Sequence, residues 1–475
     1  MRPSLLLLLP LLALPATLPD AAPCVRPTRA GTAVQGDVKI CPGRYRIPDP
    51  DARGVIVVGS ANTRLDLTSV TLVSPDSLPH EFTGIGVLVA HVDGVTIVNG
   101  RISGYRYGIL IEGGRDHRVL RTDVSGSRAQ ALRSTPTTYD EGDWLDIFRP
   151  DTFAQYGSGI QLRGTVGAEV RGVTAREAQN GIGLFEARGS HIVDNDVSHN
   201  SGWGIHLWRS SQNVIVRNEA HHNVRCESEH YRRGCDSAGI LLREQSDSNV
   251  VADNDLSHSG DGFFLSGHRP YVEPSIGNVV MRNDASHSWH NAFESTFSHG
   301  NTFIDNRADS SDYGFWLGYS SGTVVQGNTI LGTRSAAIAI EHGADNTITG
   351  NVIVGGAMGI RLFAPRPDGP PSRDARVDDN VLARLSQALV LERTTRLRGS
   401  GNLFDGVGEA VVADAGSSDA RLRGNVFLRV TAAYVRAESL DLGDNFWAAD
   451  SAEVRARSIG RVVLEPFRRA REAGY

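Results

Sequence analysis

The stretch GIGLFEARGSHIVDNDVSHNS (181–201) is followed closely by a second version of itself, GIHLWRSSQNVIVRNEAHHN (204–223). The pattern returns as GFWLGYSSGTVVQGNTILGT (314–333) and as AIAIEHGADNTITGNVIVGG (337–356). Repetition with a period in the twenties indicates one small structural unit stacked on copies of itself. The chain of 475 residues is therefore predicted to be a solenoid and not two or three globular domains.

An asparagine recurs once in each copy, mostly at intervals of 22 or 23 residues. Between these asparagines lie short β-branched and aliphatic runs of strand length, separated by Gly, Ser, Asn and Asp. Three such strands per turn predict an all-β fold, a single-stranded right-handed parallel β-helix whose equivalent strands lie about 4.8 Å apart. The asparagines are expected to stack at one corner and bond the backbone: Asn195, Asn218, Asn254, Asn283, Asn306, Asn328, Asn351, Asn380, Asn402, Asn425 and Asn445.

The GIxL strand of each copy, which we call the front strand, should alternate its side chains between the interior and solvent. The glycine that opens it is predicted to form a tight corner with an unusual φ. The residues after this glycine form the predicted interior ladder: Ile182, Ile205, Ile240, Phe263, Phe293, Phe315, Ile338 and Ile360.

The order GIxL, an apolar pair, xxN and a polar corner resembles the repeats of the pectate-lyase-like superfamily of right-handed β-helices. It is most similar to NosD-like repeats and to carbohydrate-binding and sugar-hydrolysis repeats. The segment DNFWAADSAEVRARSIGRVVLEPF (444–467) is similar to the closing segment of many exported β-helix proteins. The resemblance implies the fold over most of the chain but says little about activity, because the repeat is the scaffold.

The first residues, MRPSLLLLLPLLALPATLPDAA, are typical of a secretory signal peptide and are too short and proline-rich to span a bilayer. We divide the chain into a signal peptide (1–22), an amino-terminal cap (23–50), the β-helix (51–445) and a carboxyl-terminal cap (446–475). The protein is expected to be secreted, periplasmic or on the cell surface, without a membrane span. A net charge of −6 and only one lysine argue against a nucleic-acid partner, and we expect a monomer.

Four cysteines in an exported chain suggest two disulfides. The sequence-local pairing is the simplest of three possibilities, and it joins Cys24 to Cys41 and Cys226 to Cys235. The alternative, a zinc site, lacks any Cys-x-x-Cys spacing.

Four insertions interrupt the repeat, and all of them border the front strands. Two precede a front strand (127–157 and 225–237), and two follow one (267–277 and 364–374). Function on a solenoid usually lies where loops are inserted on one face. The insertions are therefore predicted to wall a groove whose floor is the outward face of the front sheet.

The outward positions of this floor are rich in aromatic and charged residues. Aromatic faces stack on sugar rings, and charged groups bind hydroxyls or carboxylates, so the floor favours a polysaccharide ligand. The alternative is an ordinary solvated sheet face with scattered aromatics. The predicted substrate-binding residues are Trp208, Arg209, Phe264, Trp316 and Tyr319.

The floor offers residues for two kinds of sugar chemistry. Glu244 and Glu294 lie two coils apart and suit the two carboxyls of an inverting glycosidase. A lyase or C5-epimerase needs a base, for which His206, His268 and His299 are candidates, and a cation such as Arg209 or Arg243. Lys39 is the only lysine, which excludes a lysine-based variant, and the Asp-Pro-His-Asp signature of alginate epimerases is absent.

A column of histidines follows the asparagines at His199, His222, His258 and His287, with His221 and His290 beside it. We interpret it as a favourable corner sequence and not as a metal site, because stacked imidazoles point the same way and seldom enclose an ion. No cofactor is required by the sequence, although a divalent metal is possible.

The resulting hypothesis is an exported polysaccharide-binding β-helix, favoured as a carbohydrate-active enzyme: a lyase, C5-epimerase or glycoside hydrolase. The alternative is a non-catalytic surface or periplasmic binding protein, including a NosD-like role in metal delivery. If the enzyme hypothesis is correct in this form, Glu294, Glu244, His268 and Arg243 should converge within the groove.

Overall fold

The computed structural model of the protein describes residues 24–226, 234–268 and 273–474, so the predicted signal peptide lies outside the described residues. The chain winds as a β-helix in which strands of successive coils pair in parallel. Among the described residues, no helix is both long and apolar enough to cross a membrane.

Each coil contributes one strand to the front sheet, which carries the GIxL pattern. The front strands are Thr32–Val34, Ile56–Val58, Ile85–Ala90, Tyr107–Glu112, Ser158–Arg163, Asn180–Phe185, Trp203–Trp208, Ala238–Arg243, Asp261–Ser266, Asn291–Thr296, Tyr313–Gly318, Thr329–Glu341, Val352–Phe363, Val381–Glu392, Glu409–Ala413, Ala433–Asp441 and Ser458–Val463.

The second sheet consists of shorter strands, each of three residues. They are Asp37–Lys39, Arg64–Asp66, Thr96–Val98, Arg118–Leu120, Glu169–Arg171, His191–Val193, Val214–Val216, Val250–Ala252, Val279–Met281, Thr302–Ile304, Val324–Gln326, Thr347–Thr349, Arg376–Asp378, Arg398–Ser400 and Arg421–Arg423.

The long strands Thr329–Glu341, Val352–Phe363 and Val381–Glu392 begin on the third side and continue into the front sheet. Among the described residues, the third side also has separate strands toward the two ends of the helix. These are Gly43–Arg46, Val70–Val73, Arg101–Ser103, Leu403–Asp405, Val426–Leu428, Asn445–Trp447 and Phe467–Arg469. From Asp123 to Arg307 it is reduced to single bridges between coils. In one of these coils Asp194 and His199, with four residues between them, both have a positive φ.

Short elements complete the structure. The α-helices are Pro150–Phe153 and Ser451–Ala456, and the 3-10 turns are Pro79–Glu81, Glu141–Asp143, Gly234–Asp236 and Ala470–Ala473. A small two-stranded pair, Ser372–Arg373 with Thr394–Thr395, lies between the front and second sheets.

The interior ladder is confirmed. Each predicted residue from Ile182 to Ile360 is in register with its equivalent in the next coil, and all are fully buried. Phe293 and Phe315 stack with ring centroids 4.9 Å apart. The hydrophobic effect of this continuous core is the main force that holds the coils together.

The asparagine ladder is also confirmed, from Asn195 to Asn445. At each step the Oδ1 of one asparagine accepts from the backbone N–H and the Nδ2 of the asparagine one coil earlier, as Asn328 does from Asn306 at 2.8 and 3.0 Å. A second ladder at the preceding corner links Asn213, Asn249, Asn278 and Asn301 in the same way.

The front-strand glycines do not have the unusual φ that the sequence predicts. Gly204 and Gly314 lie inside the strand and do not have a positive φ. Glycine is needed there because a Cβ on Gly204 would lie 2.6 Å from the carbonyl oxygen of Gly239, and one on Gly314 would lie 2.5 Å from that of Ala337. The constraint is close approach between coils and not an unusual backbone conformation.

The β-helix extends beyond the predicted limits of 51 and 445. Thr32–Val34, Asp37–Lys39 and Gly43–Arg46 pair with the next coil on all three sides. At the other end, Ser458–Val463 and Phe467–Arg469 pair with the preceding coil. The segments predicted as caps therefore contribute coils of their own.

Both predicted disulfides are present. Cys24 and Cys41 are joined with their Cα atoms 4.8 Å apart, and Cys226 and Cys235 with theirs 5.6 Å apart. The first ties the start of the described chain to the first coil. The second anchors the turn that enters the front strand at Ala238.

Candidate functional site

The insertion 127–157 does not simply wall the front sheet but folds across part of it. Leu145, Ile147 and Phe153 form a buried apolar cluster with outward residues of four front strands, including Leu241 and Phe264. Phe264, a predicted substrate contact, is only 4% exposed. The floor of the predicted groove is therefore covered over these coils.

His206 lies beneath this insertion. Its ring is 1% exposed, packs 4.4 Å from Trp203 and 5.3 Å from Phe153, and has no hydrogen-bond partner at either nitrogen. Burial, with the nearby Arg243 charge, lowers the pKa of His206 to about 3. The enclosed ring lies beneath Phe153, out of reach of a substrate in solvent, so His206 is not proposed as the base.

Arg243, Glu244 and His268 do converge, as predicted, but they form a structural clamp. Arg243 is fully buried and donates to the backbone oxygen of Ile147 and to Oε1 of Glu244, each at 2.9 Å. His268 Nδ1 lies 3.3 Å from the same Glu244 oxygen. These contacts hold the insertion against the ends of the front strands.

The remaining contacts of Glu244 complete the clamp. Its Oε2 accepts from Trp208 Nε1 at 3.2 Å and from Arg209 at 3.5 Å, and Arg209 also pairs with Glu273. Trp208 and Arg209, predicted as substrate contacts, are thus tied to Glu244, whose side chain is 2% exposed. Both oxygens of the buried Glu244 carboxylate are thus engaged by neighbouring side chains, so it has no oxygen free to contact a substrate.

Glu294 belongs to a different group of side chains. Asp261, His290 and Glu294 each place a possible ligand atom within 4.8 Å of the others. Asn291 joins them, because its backbone N–H donates to Asp261 at 2.8 Å and its Nδ2 donates to Glu294 at 2.5 Å. We call these four residues, together with Asp236, the carboxyl cluster.

The fold places the carboxyl cluster where two front strands begin. Asp261 and Asn291 open their strands in neighbouring coils, and Glu294 faces outward in register with Phe264 and Trp316. Asp236 follows the disulfide-bonded Cys235, and the αL residue Gly234 packs against Gly260. The second disulfide thus fixes one carboxyl of the cluster.

The carboxyls of the cluster perturb one another. Burial raises the pKa of Glu294 well above its usual value, and the charges of Asp261 and Asp236 raise it further. Burial, with Asp261, raises the pKa of Asp236 to about 7, although His290 and Arg243 oppose this. The pKa values of Glu294 and Asp236 are thus both raised, and Asp236 titrates near neutral pH.

His290 is the counter-charge of the cluster. Its Nδ1 lies 3.5 Å from Asp261, which is 1% exposed. Burial disfavours the charged ring, but the hydrogen bond and charge of Asp261, with Asp312 and Asp236, outweigh it and raise the pKa of His290. Perturbed acids and a histidine in one partly exposed cluster are typical of catalytic sites.

The front sheet is lined with aromatics beyond the cluster. Trp316 and Tyr313 are half-buried and meet edge to face at 4.9 Å, and Phe363 lies 5.8 Å from Trp316. At the far edge of the sheet, Tyr319 stacks between Phe297 and His342 at 5.1 and 4.9 Å. The predicted contacts Trp316 and Tyr319 thus lie on the part of the sheet beyond the insertion.

The insertion 364–374 lines that far edge. Arg366 lies over the ring of Tyr319, and the backbone oxygen of Pro370 contacts His342. His299 occupies a corner between the front and second sheets, bridged to Ile276, and belongs to neither cluster. The structure thus brings together only one of the six predicted catalytic residues, Glu294, with the new carboxyl cluster.

Sequence reasoning missed Asp236, Asp261, His290 as a site residue, and Asn291. The predicted floor contains only residues that follow the glycine of each front strand. Asp261 and Asn291 are the first residues of their strands and lie before the glycine position. The first residue of successive front strands could have indicated the site, because it is Ala238 in one coil and then the polar residues Asp261, Asn291 and Tyr313 in the next three. Asp236 lies in an insertion, where no repeat predicts its direction.

We expect Asp236→Asn to change how stability depends on pH. The pKa of Asp236 rises from 3.8 to about 7 on folding, so its stabilising effect is complete below pH 4 and is lost as pH rises to 7. The variant should therefore gain at least about 2 °C in Tm over wild type at pH 8, relative to their difference at pH 4.

Melting curves at both pH values measure this, with the exposed Asp368→Asn as control. The same Tm difference at pH 4 and pH 8 for Asp236→Asn would show that Asp236 is not a perturbed acid.

Comparison with known proteins supports the fold. The sequence profile of the family described as "Right handed beta helix region" matches residues 85–268 and 228–366, which together exceed half of the chain. The predicted handedness and architecture are therefore confirmed. No curated protein sequence matches this chain.

Several solved structures are similar to this chain at low identity. The mannuronan C-5 epimerase AlgE4 A-module of Azotobacter vinelandii is 14% identical over 70% of this chain and 90% of that chain, with a TM-score of 0.49. The Dettilon tailspike protein is 12% identical over 82% of this chain, which spans 61% of the tailspike's length, with a TM-score of 0.43. PfbA, a surface adhesin of Streptococcus pneumoniae, is 11% identical over 84% of each chain, with a TM-score of 0.35. These likenesses concern the fold alone.

Proposed function

This chain belongs to the right-handed β-helix family, and we propose that it is an exported hydrolase of an uncharged polysaccharide, with Glu294 as general acid and Asp236 as general base. The observation that carries the proposal is the raised pKa of both carboxyls within one partly exposed cluster. The two disulfides agree with an extracytoplasmic location.

The proposed reaction is the addition of water across a glycosidic bond. Glu294 donates its proton to the leaving sugar oxygen, while Asp236 takes a proton from the attacking water. A base with a pKa of about 7 is poised for this near neutral pH. The charge of Asp261, enclosed behind them, adds to burial in raising the pKa of Glu294, and His290 pairs with Asp261.

The charges of the cluster favour hydrolysis over lyase or epimerase chemistry. Those reactions need a positive group that neutralises a uronate carboxylate. The predicted cations do not serve, because Arg243 is buried and Arg209 is paired with Glu244 and Glu273. His290, the one basic side chain of the carboxyl cluster, is paired with Asp261, so the cluster offers no free positive charge to a uronate.

A panel of neutral and acidic polysaccharides tests the proposal. We expect new reducing ends from a neutral glycan, with no absorbance from unsaturated uronates and no loss on chelation. Unsaturated products would indicate a lyase, and binding without any product would favour the alternative of a binding protein. Loss of activity on chelation would mean that Asp261, His290 and Glu294 act as metal ligands and not as proposed.

We expect Trp316→Ala to weaken binding of the polysaccharide about tenfold. Trp316 is half-buried on the front sheet, and an indole is the kind of group on which sugar rings stack. An aromatic contact of this type contributes about 1.5 kcal/mol at most. Affinity electrophoresis or titration calorimetry measures the change. Phe446→Ala is the matched control, because Phe446 is also half-buried but lies on the third side; equal weakening by both variants would contradict a specific site.

A further inference from the structure

Four histidines form a stacked column at the corner that leads into the front strands. His199, His222, His258 and His287 have φ between 54° and 62°, and their side chains are exposed. Their ring centroids are 5.0, 4.8 and 4.8 Å apart in successive pairs. The stacking confirms the column that the sequence predicts, and a regular stack alone encloses no ion.

His221 breaks this regularity. In the other three coils the residue before the column histidine is a serine: Ser198, Ser257 and Ser286. The Nδ1 atom of His221 lies 2.8 Å from Nδ1 of His222, and its ring lies 5.5 Å from that of His199 at right angles. Consequently His199, His221 and His222 each place a nitrogen within 4.8 Å of the others.

We propose that His199, His221 and His222 form a binding site for a divalent transition-metal ion of the Zn²⁺ or Cu²⁺ type. Imidazole nitrogens suit these ions, and metal–nitrogen bonds of about 2.0–2.1 Å require nitrogens roughly 3.3 Å apart. The three rings are at the surface, so small rotations bring them to that spacing.

The surroundings favour a bound cation. Asp196, Glu219 and Asp255 form a bridged column on the third side, so a carboxylate lies three residues before His199, His222 and His258 in each coil. Of these carboxylates, Asp196 is also paired with Arg176. The site is separate from the carboxyl cluster and goes beyond the proposed hydrolysis.

The repeat itself supplies the test variants. His221→Ser restores the residue that the other coils carry, so it removes one ligand without disturbing the fold. His287→Ser is the matched control, because His287 belongs to the same column but not to the proposed site. A serine is tolerated at this corner, since Ser310 occupies the equivalent position in the next coil with a similar φ of 56°.

The experiment is titration of the full, untagged, disulfide-bonded chain with Zn²⁺ by calorimetry and with Cu²⁺ by electron paramagnetic resonance. We expect one ion per chain, binding at least tenfold weaker in His221→Ser, unchanged binding in His287→Ser, and one fewer coupled nitrogen in the Cu²⁺ spectrum of His221→Ser. No binding by wild type, equal binding by His221→Ser, or equal loss in both variants would overturn the proposal.

Discussion

Replacing Glu294 by Gln is expected to lower kcat for polysaccharide hydrolysis by about 10²–10⁴-fold, the usual contribution of a general acid. Gln keeps the shape and the contact with Asn291 but has no proton to donate to the leaving oxygen. The fold should be unaffected or slightly stabilised, because the substitution removes a titratable group held beside Asp261 and Asp236. Reducing-end release under saturating substrate measures kcat, and thermal melting checks the fold.

The matched control is Glu341→Gln, a partly exposed glutamate at the end of the front strand two coils further on. It should retain wild-type kcat. The pH profile adds a second readout, because removal of the acid abolishes the alkaline fall in rate that its titration causes. A Glu294→Gln enzyme with wild-type kcat and pH profile would eliminate Glu294 as the acid.

The fold was predictable because every coil needs the same interior residue and the same corner asparagine, and the sequence therefore repeats them. Phe293 and Asn306 each recur at a fixed spacing, so one coil read correctly predicts the next. The role of the front-strand glycines was not predictable in the same way. A close approach to the carbonyl oxygen of the next coil is a property of stacked coils, and a single strand does not reveal it.

The candidate site was only partly predictable, because insertions do not obey the repeat. Nothing in the spacing shows that Ile147 and Phe153 cross the front sheet and bury His206 and Phe264. Their apolar character in an otherwise polar insertion was the available signal, since exposed loops rarely carry such residues without a surface to cover. The sequence predicts that Glu294 converges with Glu244, His268 and Arg243, but in the structure Glu294 lies apart from them. It is joined instead by Asp261, His290 and Asn291, none of which lies in the outward columns of the predicted floor.

Asn306→Ala is expected to destabilise the β-helix on the order of 4 kcal/mol, because it breaks one step of a buried ladder. The substitution removes the acceptor of the N–H and Nδ2 of Asn283, and the donor to the backbone oxygen of Val280. Each buried group left without a partner costs about 1–3 kcal/mol, whereas an exposed side chain on the same sheet costs almost nothing. Gln326→Ala, on the neighbouring strand and exposed, is the matched control.

The stability of individual coils must be measured as well as the overall free energy of unfolding. In a solenoid each coil contacts mainly its neighbours, so the loss concentrates in the coils around Asn306. Amide hydrogen exchange should become about 10²–10³-fold faster at Asn283 and the adjoining strands, with little change at the ends of the helix. Uniform acceleration along the whole chain would show that the coils unfold as one unit. Unchanged exchange at Asn283 would show that the ladder only accompanies the hydrophobic core and does not stabilise it.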